Sequence, residues 1–199
     1  MSADRQTLKV YDTQAAEYET RVAQRSTPGL SEFITALPQS AYVLDLGCGP
    51  GLSARAMMDH GLTVDAVDGS PAMVARASEL GVSARQELFQ DVSGTAEFNG
   101  IFANFSLLHM PRCDMPDMLN RLHTLMKPEG IIHIGLKLGS GEARDRLGRF
   151  YAYYQQDEIE ALLTSAGFLP YAHILGAGEG LDGWSSEWIV IQAKKVTNG

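Results

Sequence analysis

Residues 41–51, AYVLDLGCGPG, constrain this chain more than any other stretch. The apolar run Tyr42-Val43-Leu44 closes on Asp45 and opens into glycines at 47, 49 and 51, and Leu52-Ser53-Ala54-Arg55-Ala56-Met57-Met58 follows. The run reads as a buried strand, and the segment from Gly51 to Met58 as the helix after it. A strand feeding a glycine turn and then a helix brings bare backbone N–H groups close to a ligand, since glycine has no side chain to hold it off. A nucleoside-bearing cofactor is expected at this turn.

Spacing narrows the cofactor. A dinucleotide turn carries glycines at its first, third and sixth positions. Here the third glycine, Gly51, falls at the fifth position and Leu52 takes the sixth, so the usual packing glycine is missing. No Gly-Lys-Ser/Thr follows, so a phosphate-gripping P-loop is absent too. A second apolar run, Leu62–Val67, ends on Asp68, about 20 residues after Gly47. A carboxylate at that strand tip can accept both ribose hydroxyls; the plainer reading is an N-cap or a solvated strand end. Gly69 follows, and Ser70 with Pro71 reads as N-cap and first residue of a helix over 71–80 that includes Met73. Arg85–Gln90 reads as a third strand ending on Asp91-Val92, although Asp91-Val92-Ser93-Gly94 is also a plain turn signal. Phe98–Phe105 reads as the fourth strand, with Ser106-Leu107-Leu108-His109 at its carboxyl end, and Ile131–Ile134 as the fifth.

Taken in order, Asp45-Leu46-Gly47-Cys48-Gly49-Pro50-Gly51, Asp68, Asp91, the Phe105-Ser106 strand end and Leu125-Met126-Lys127-Pro128-Glu129-Gly130 resemble the motifs of class I S-adenosylmethionine-dependent methyltransferases. The resemblance runs over roughly residues 10–195, with one departure, Glu129 standing where the family usually has a second glycine. It implies S-adenosylmethionine as cofactor and S-adenosylhomocysteine as product. Asp45, Gly47, Cys48, Gly49 and Gly51 would form the turn, with Asp45 orienting the aminoacyl end. Asp68, Gly69, Ser70 and Met73 would surround the ribose, Asp91 and Val92 the adenine, and Phe105 and Ser106 the wall of the crevice. It further implies a Rossmann-like α/β fold: a mostly parallel seven-stranded sheet, helices on both faces, and a C-terminal antiparallel hairpin whose last strand inserts beside the fifth.

Composition bounds the partners. With 199 residues and 45% hydrophobic content, one globular domain is expected. It divides into cap helices over 1–40, a cofactor-binding core over 41–137, a substrate-side loop over 138–156, and a helix and hairpin over 157–199. The net charge of −8 offers no basic track for nucleic acid, so a small-molecule acceptor is the expected partner. Two cysteines, Cys48 and Cys113, are too few for a disulfide framework, and no Cys/His spacing suggests a metal site. Residues 1–6 hold no apolar signal-peptide core, and no apolar run reaches membrane-spanning length, so a cytoplasmic protein is expected. The oligomeric state stays open.

Before the sheet, a helix over about 8–25 places Tyr11, Ala15, Tyr18 and Val22 on one face. That stripe either packs on the domain or, as in the resembled family, caps the cofactor pocket with Tyr18 and Arg21, the guanidinium facing the cofactor carboxylate. After the sheet's fifth strand, residues 139–156 carry Arg144, Arg146 and Arg149 and then Tyr151 and Tyr153. With Tyr11 they can hold an acidic or aromatic acceptor; otherwise they form a solvated turn. A helix over 157–166 is stopped by Gly167, and strands over 168–175 and 186–193 are joined by a glycine-rich loop, 176–183.

Methyl transfer from a sulfonium asks the protein for positioning, desolvation and sometimes a base. His109 is placed to be that base or simply to support its loop. Two other classes stay open: a module that binds the cofactor without turning it over, and a nicotinamide oxidoreductase, for which the chain lacks both the six-residue turn and a Tyr-x-x-x-Lys.

Overall fold

A computed structural model describes residues 4–196; the expected domain limits at 1 and 199 lie outside them. The sheet has seven strands in the order β3-β2-β1-β4-β5-β9-β8. These are β1 (Tyr42–Leu46), β2 (Thr63–Asp68), β3 (Ala84–Gln86), β4 (Phe98–Asn104), β5 (Met126–Lys137), β8 (Phe168–Glu179) and β9 (Ser185–Lys195). The first five run parallel, and β9 inserts antiparallel between β5 and β8, the inserted last strand that the motif order implies. Strand β1 is flanked by β2 and β4, so the chain reverses its direction of travel across the sheet there. Ligands of open α/β sheets lie outside the carboxyl ends of the strands at such a switch point.

Both faces of the sheet's centre are covered, which is why β1, β4 and the second half of β5 read as apolar runs, whereas edge strand β8 is largely exposed. Successive side chains point to opposite faces. Leu44, Leu46, Ile101 and Ala103 join a core with helices α5 (Met115–Leu125) and α6 (Gln156–Ser165). Val43 and Phe102 face the other way, with Phe33 of α2 (Leu30–Ala36) and Met57 of α3 (Leu52–Asp59). Helix α4 (Pro71–Glu79) starts as expected: Ser70 Oγ accepts from Met73 N at 3.2 Å, with Pro71 at the first turn. Helix α1 (Arg5–Ala23) lies over α4, tied by Arg76–Glu19 at 2.6 Å and by Ser70 Oγ donating to Asp12 Oδ1 at 2.5 Å.

Three expectations are corrected. The third strand stops at Gln86 rather than Gln90, because its ladder ends where β2 ends, at Asp68↔Gln86. The chain then turns, with Asp91 N donating to Leu88 O at 2.9 Å. Gly176 and Gly178 lie within β8, not in a loop. The Trp188 ring of β9 lies over Gly176, where a Cβ would sit 2.1 Å from it, so the glycine clears space for an indole rather than marking a bend. Residues 138–156 contain a hairpin, β6 (Glu142–Arg144) and β7 (Phe150–Ala152), rather than only a loop. No helix among the described residues is long and apolar enough to cross a membrane.

Candidate active site

The glycine turn is built around positive φ angles at Gly47 (79°), Gly49 (55°) and Gly51 (84°). Space adds to the demand at two of them. A Cβ on Gly47 would stand 2.4 Å from Ser106 Cβ, and one on Gly51 2.8 Å from Ala77 Cβ of α4. Gly51 therefore does the close helix packing that the sixth glycine does in dinucleotide sheets. Its N–H groups are not bare, contrary to expectation. Gly47 N and Cys48 N donate to Val67 O, Gly49 N to Asp68 Oδ2, and Gly51 N to Cys48 O. Residue 50 is proline and has no N–H. The N–H groups of residues 47–51 are thus spent on holding β1 to β2 and on the turn itself.

Two carboxylates stand at the mouths of these strands. Asp68 accepts from Gly49 N and Ser70 N, both at 2.8 Å, one on each oxygen, which aims the group and leaves further lone pairs open. Burial raises its pKa against those two hydrogen bonds. Asp45 is 3% exposed, and its Oδ2 is buried without a hydrogen-bond partner. Burial first, and the nearby Asp68 second, push its carboxyl up to about 8. A buried acceptor left unpaired is costly, so this is the atom that asks for a cationic donor. Cys48, whose thiol pKa burial raises, lines the same cavity.

Two chambers meet at Tyr11, Tyr18, Phe105 and His109. The first, about 90 Å³, is bounded by Asp68, Gly69, Met73, Leu88, Phe89 and Ser106, and no lysine or arginine lines it among the described residues. Ser106 Oγ donates to Leu46 O at 2.6 Å and clamps the ends of β4 and β1 together. Asp91 and Val92 are not in this lining. Because the third strand ends early, Asp91 points to solvent and Val92 is 1% exposed in the core, while Leu88, Phe89 and Gln90 face the chamber. Leu88 and Phe89 sit where the sequence shows a strand face, and only the turn at residues 88–91 brings them round.

The second chamber, about 530 Å³, takes in Asp45, Arg21, Lys137, Arg149, Tyr151 and Trp188. Of the 139–156 segment only Arg149 and Tyr151 reach it. Arg144 pairs instead with Asp4 at 2.9 Å, and Arg146 donates to Asp182 O and lies over Trp184. Tyr153 does not line the chamber, its ring standing 6.2 Å from that of Tyr151. Arg21 lines it while donating to Gly180 O at 3.1 Å and to Glu17 at 3.2 Å. The sequence alone does not single out Lys137, Arg25 or Trp188. The available signal was position, since Lys137 ends β5 and Trp188 is its cross-strand partner.

Tyr11 and His109 belong to one directed hydrogen-bond chain. Phe150 O can only accept, so His109 Nδ1, at 2.6 Å, carries the hydrogen. Nε2 therefore accepts the Tyr11 hydroxyl at 2.8 Å, and that oxygen accepts from Arg149 Nη1 at 3.0 Å. Arg149 Nε donates to Asp145 Oδ2 at 2.8 Å; Nη2 lies 2.7 Å from the same oxygen, in ionic contact but off the hydrogen-bond line. Burial drops the His109 pKa to about 4, aided by Arg149 and Lys137. With both nitrogens engaged and its cation disfavoured, His109 does not fit the expected role of general base; it holds Tyr11.

A doubly wound sheet with a nucleoside-type crevice at its switch point is the class these observations define. The chain matches the methyltransferase-domain family model over residues 16–172 and belongs to that family. It is 30% identical over 176 residues to trans-aconitate 2-methyltransferase of Escherichia coli, covering 83% of this chain and 68% of that one. With the trans-aconitate 2-methyltransferase of Variovorax paradoxus it shares 34% identity over 121 residues, 58% of this chain but only 46% of the relative's length. Its fold superimposes on Burkholderia thailandensis 1,6-didemethyltoxoflavin-N1-methyltransferase, solved with its acceptor and S-adenosylhomocysteine. The TM-score is 0.73 at 23% identity, covering 99% and 92% of the two chains.

Proposed function

We propose that this protein transfers a methyl group from S-adenosylmethionine to a small-molecule acceptor. The observation that carries the reading is the buried, unpartnered Oδ2 of Asp45 beside an Asp68 already aimed by two backbone N–H groups. A ribose suits Asp68, and the ammonium of an aminoacyl end suits Asp45. The turn's spent N–H groups and the absence of lysine and arginine from the first chamber do not suit a pyrophosphate. That weighs against the nicotinamide alternative on the residues themselves. The size of the second chamber weighs against a module that only senses the cofactor, since it exceeds the lower range of small-ligand pockets.

When bound, S-adenosylmethionine supplies an electrophilic methyl: the acceptor's lone pair forms the new bond to carbon as the carbon–sulfur pair returns to sulfur. The chain's own part is placement. Tyr11 and Tyr18 meet edge to face with centroids 5.4 Å apart, and with Phe105 they offer aromatic surface to a cation at the junction of the chambers. Arg149 and His109 lock the Tyr11 hydroxyl in place, so this wall is rigid. Arg21 keeps unspent donors toward the second chamber and suits a carboxylate there.

Calorimetric titration with S-adenosylhomocysteine, with NAD in parallel, tests the reading. Micromolar binding of the first and none of the second is expected. Tight NAD binding, or no binding of S-adenosylhomocysteine, would overturn it.

A further inference from the structure

Lys137 ends β5 at the carboxyl edge of the sheet, inside the second chamber. Its Nζ lies 4.1 Å from the centroid of the buried Tyr151 ring, and Arg149 stands 5.2 Å from the same centroid. Arg149 is neutralised by Asp145 at 2.7 Å. The Lys137 ammonium makes no hydrogen bond or ion pair among the described residues; it rests on the ring face, with Gly180 beside it and Asp182 acting on it from farther off. Two further cations, Arg21 and Arg25, line the chamber with the carboxylates of Asp45 and Glu179, and Arg21 is paired outside it with Glu17 at 3.2 Å. In a chain of net charge −8, this gathers an unpaired ammonium with two guanidinium groups, Arg21 and Arg25, at one cavity.

We propose that Lys137 is a specificity residue: its unpartnered ammonium, held over Tyr151, takes the carboxylate or comparable negative group of an anionic acceptor. A cation set on an aromatic face is fixed in position, yet its three N–H donors still look for acceptors. Half-burial strengthens that demand, and it also lowers the Lys137 pKa, with Asp182 partly offsetting the loss. A neutral acceptor leaves the demand unmet, and a cationic one meets repulsion from Lys137, Arg21 and Arg25 together. Anionic acceptors also remove the need for a base, which fits the engaged nitrogens of His109. The inference takes its acceptor from the methyl-transfer reading, but the anion site itself does not depend on it.

The test is calorimetric titration with trans-aconitate and with benzoate, each against benzamide, with and without saturating S-adenosylhomocysteine. Wild type is expected to bind at least one carboxylate and to discriminate against the amide. Lys137→Met should weaken carboxylate binding roughly ten- to a hundredfold, as for loss of a charge-assisted hydrogen bond, and Lys137→Arg should restore most of it. S-adenosylhomocysteine affinity should stay unchanged in both variants. Equal binding of benzamide, an unmoved carboxylate affinity in Lys137→Met, or no carboxylate binding by wild type would each overturn the proposal. Failure of S-adenosylhomocysteine to bind would instead sink the cofactor reading, and the titrations without it would still report on Lys137.

Discussion

The two chambers that meet at Tyr11 and Phe105 are built by opposite rules. The floor of the first draws on one stretch of chain, β1 through the start of α4, in which glycine, carboxylate and N-cap follow one another and each fixes the next, while α1, residues 88–90 and the end of β4 supply its walls. The second is assembled from α1, the ends of β4 and β5, the β6–β7 hairpin and the β8–β9 connection, which touch only because the sheet brings them together. That floor is a local device, and the second chamber is a tertiary one. Damage to the first should therefore appear in cofactor binding with the fold intact, and damage to the second in stability and acceptor binding.

The strongest test of that division is Asp45→Asn, which alters the local β1–α4 stretch at a carboxyl that opens into the second chamber. Removing the buried acid should lower S-adenosylhomocysteine affinity by about 3–5 kcal/mol, the scale for breaking a buried charge pair. The free protein should become more stable, not less. With its carboxyl raised to about 8 in the folded protein, folded Asp45 holds a proton that the unfolded chain has released between about pH 4 and 8. Stability therefore falls as pH rises through that window. The variant should flatten this fall in thermal melts recorded from pH 5 to 8.5. A variant that melts lower and still binds would dissolve the distinction between the chambers.

Arg149→Met asks the converse. It strands Asp145, 5% exposed, and frees the Tyr11 hydroxyl that anchors α1 to the hairpin. Urea unfolding should show a loss of about 3 kcal/mol. An unchanged unfolding midpoint would mean that the network only decorates the chamber wall.

These two residues also show what a reader of the sequence can see. Asp45 and Asp68 stand out because strand, acid and glycine turn are contiguous, so the pattern and the geometry are one thing. Inside a run of arginines and tyrosines, Arg149 looks the same as Arg144 and Arg146. Only the hairpin pairing Ala143↔Tyr151 turns one inward and leaves the others on Asp4 and Asp182. Lys137 was hidden differently, at the end of an apolar run longer than its first four residues suggested, because β9 pairs with β5 as far as Trp188. Strand ends are set by partners, and partners are not local.

Within the first chamber, Asp68→Ala should cost roughly 1.5–3 kcal/mol of S-adenosylhomocysteine binding, as for a charge-assisted pair. Asp68 also accepts from Gly49 N and Ser70 N, so part of the loss should come from the turn. Asp68→Asn separates the two, since its side-chain oxygen can keep one of those bonds. If Asn restores affinity fully, the carboxylate charge does nothing for the ligand.

The smallest effect is the sharpest check on how the chamber is made. By its place in the motif order Asp91 belongs to the adenine pocket, yet it is exposed and outside the lining, while Leu88 and Phe89 are inside it. Asp91→Asn should therefore leave S-adenosylhomocysteine affinity within about 0.5 kcal/mol of wild type, as for a surface change away from any partner. Phe89→Ser, by contrast, removes apolar surface from the chamber wall and should weaken binding by about 1–2 kcal/mol, a flat adenine ring being what such a wall receives. The paired titrations decide whether adenine is held by apolar contact or by the acid. A large loss at Asp91 with none at Phe89 would mean that the turn at residues 88–91 swings over when the cofactor binds, and the first chamber would be less local than its sequence makes it look.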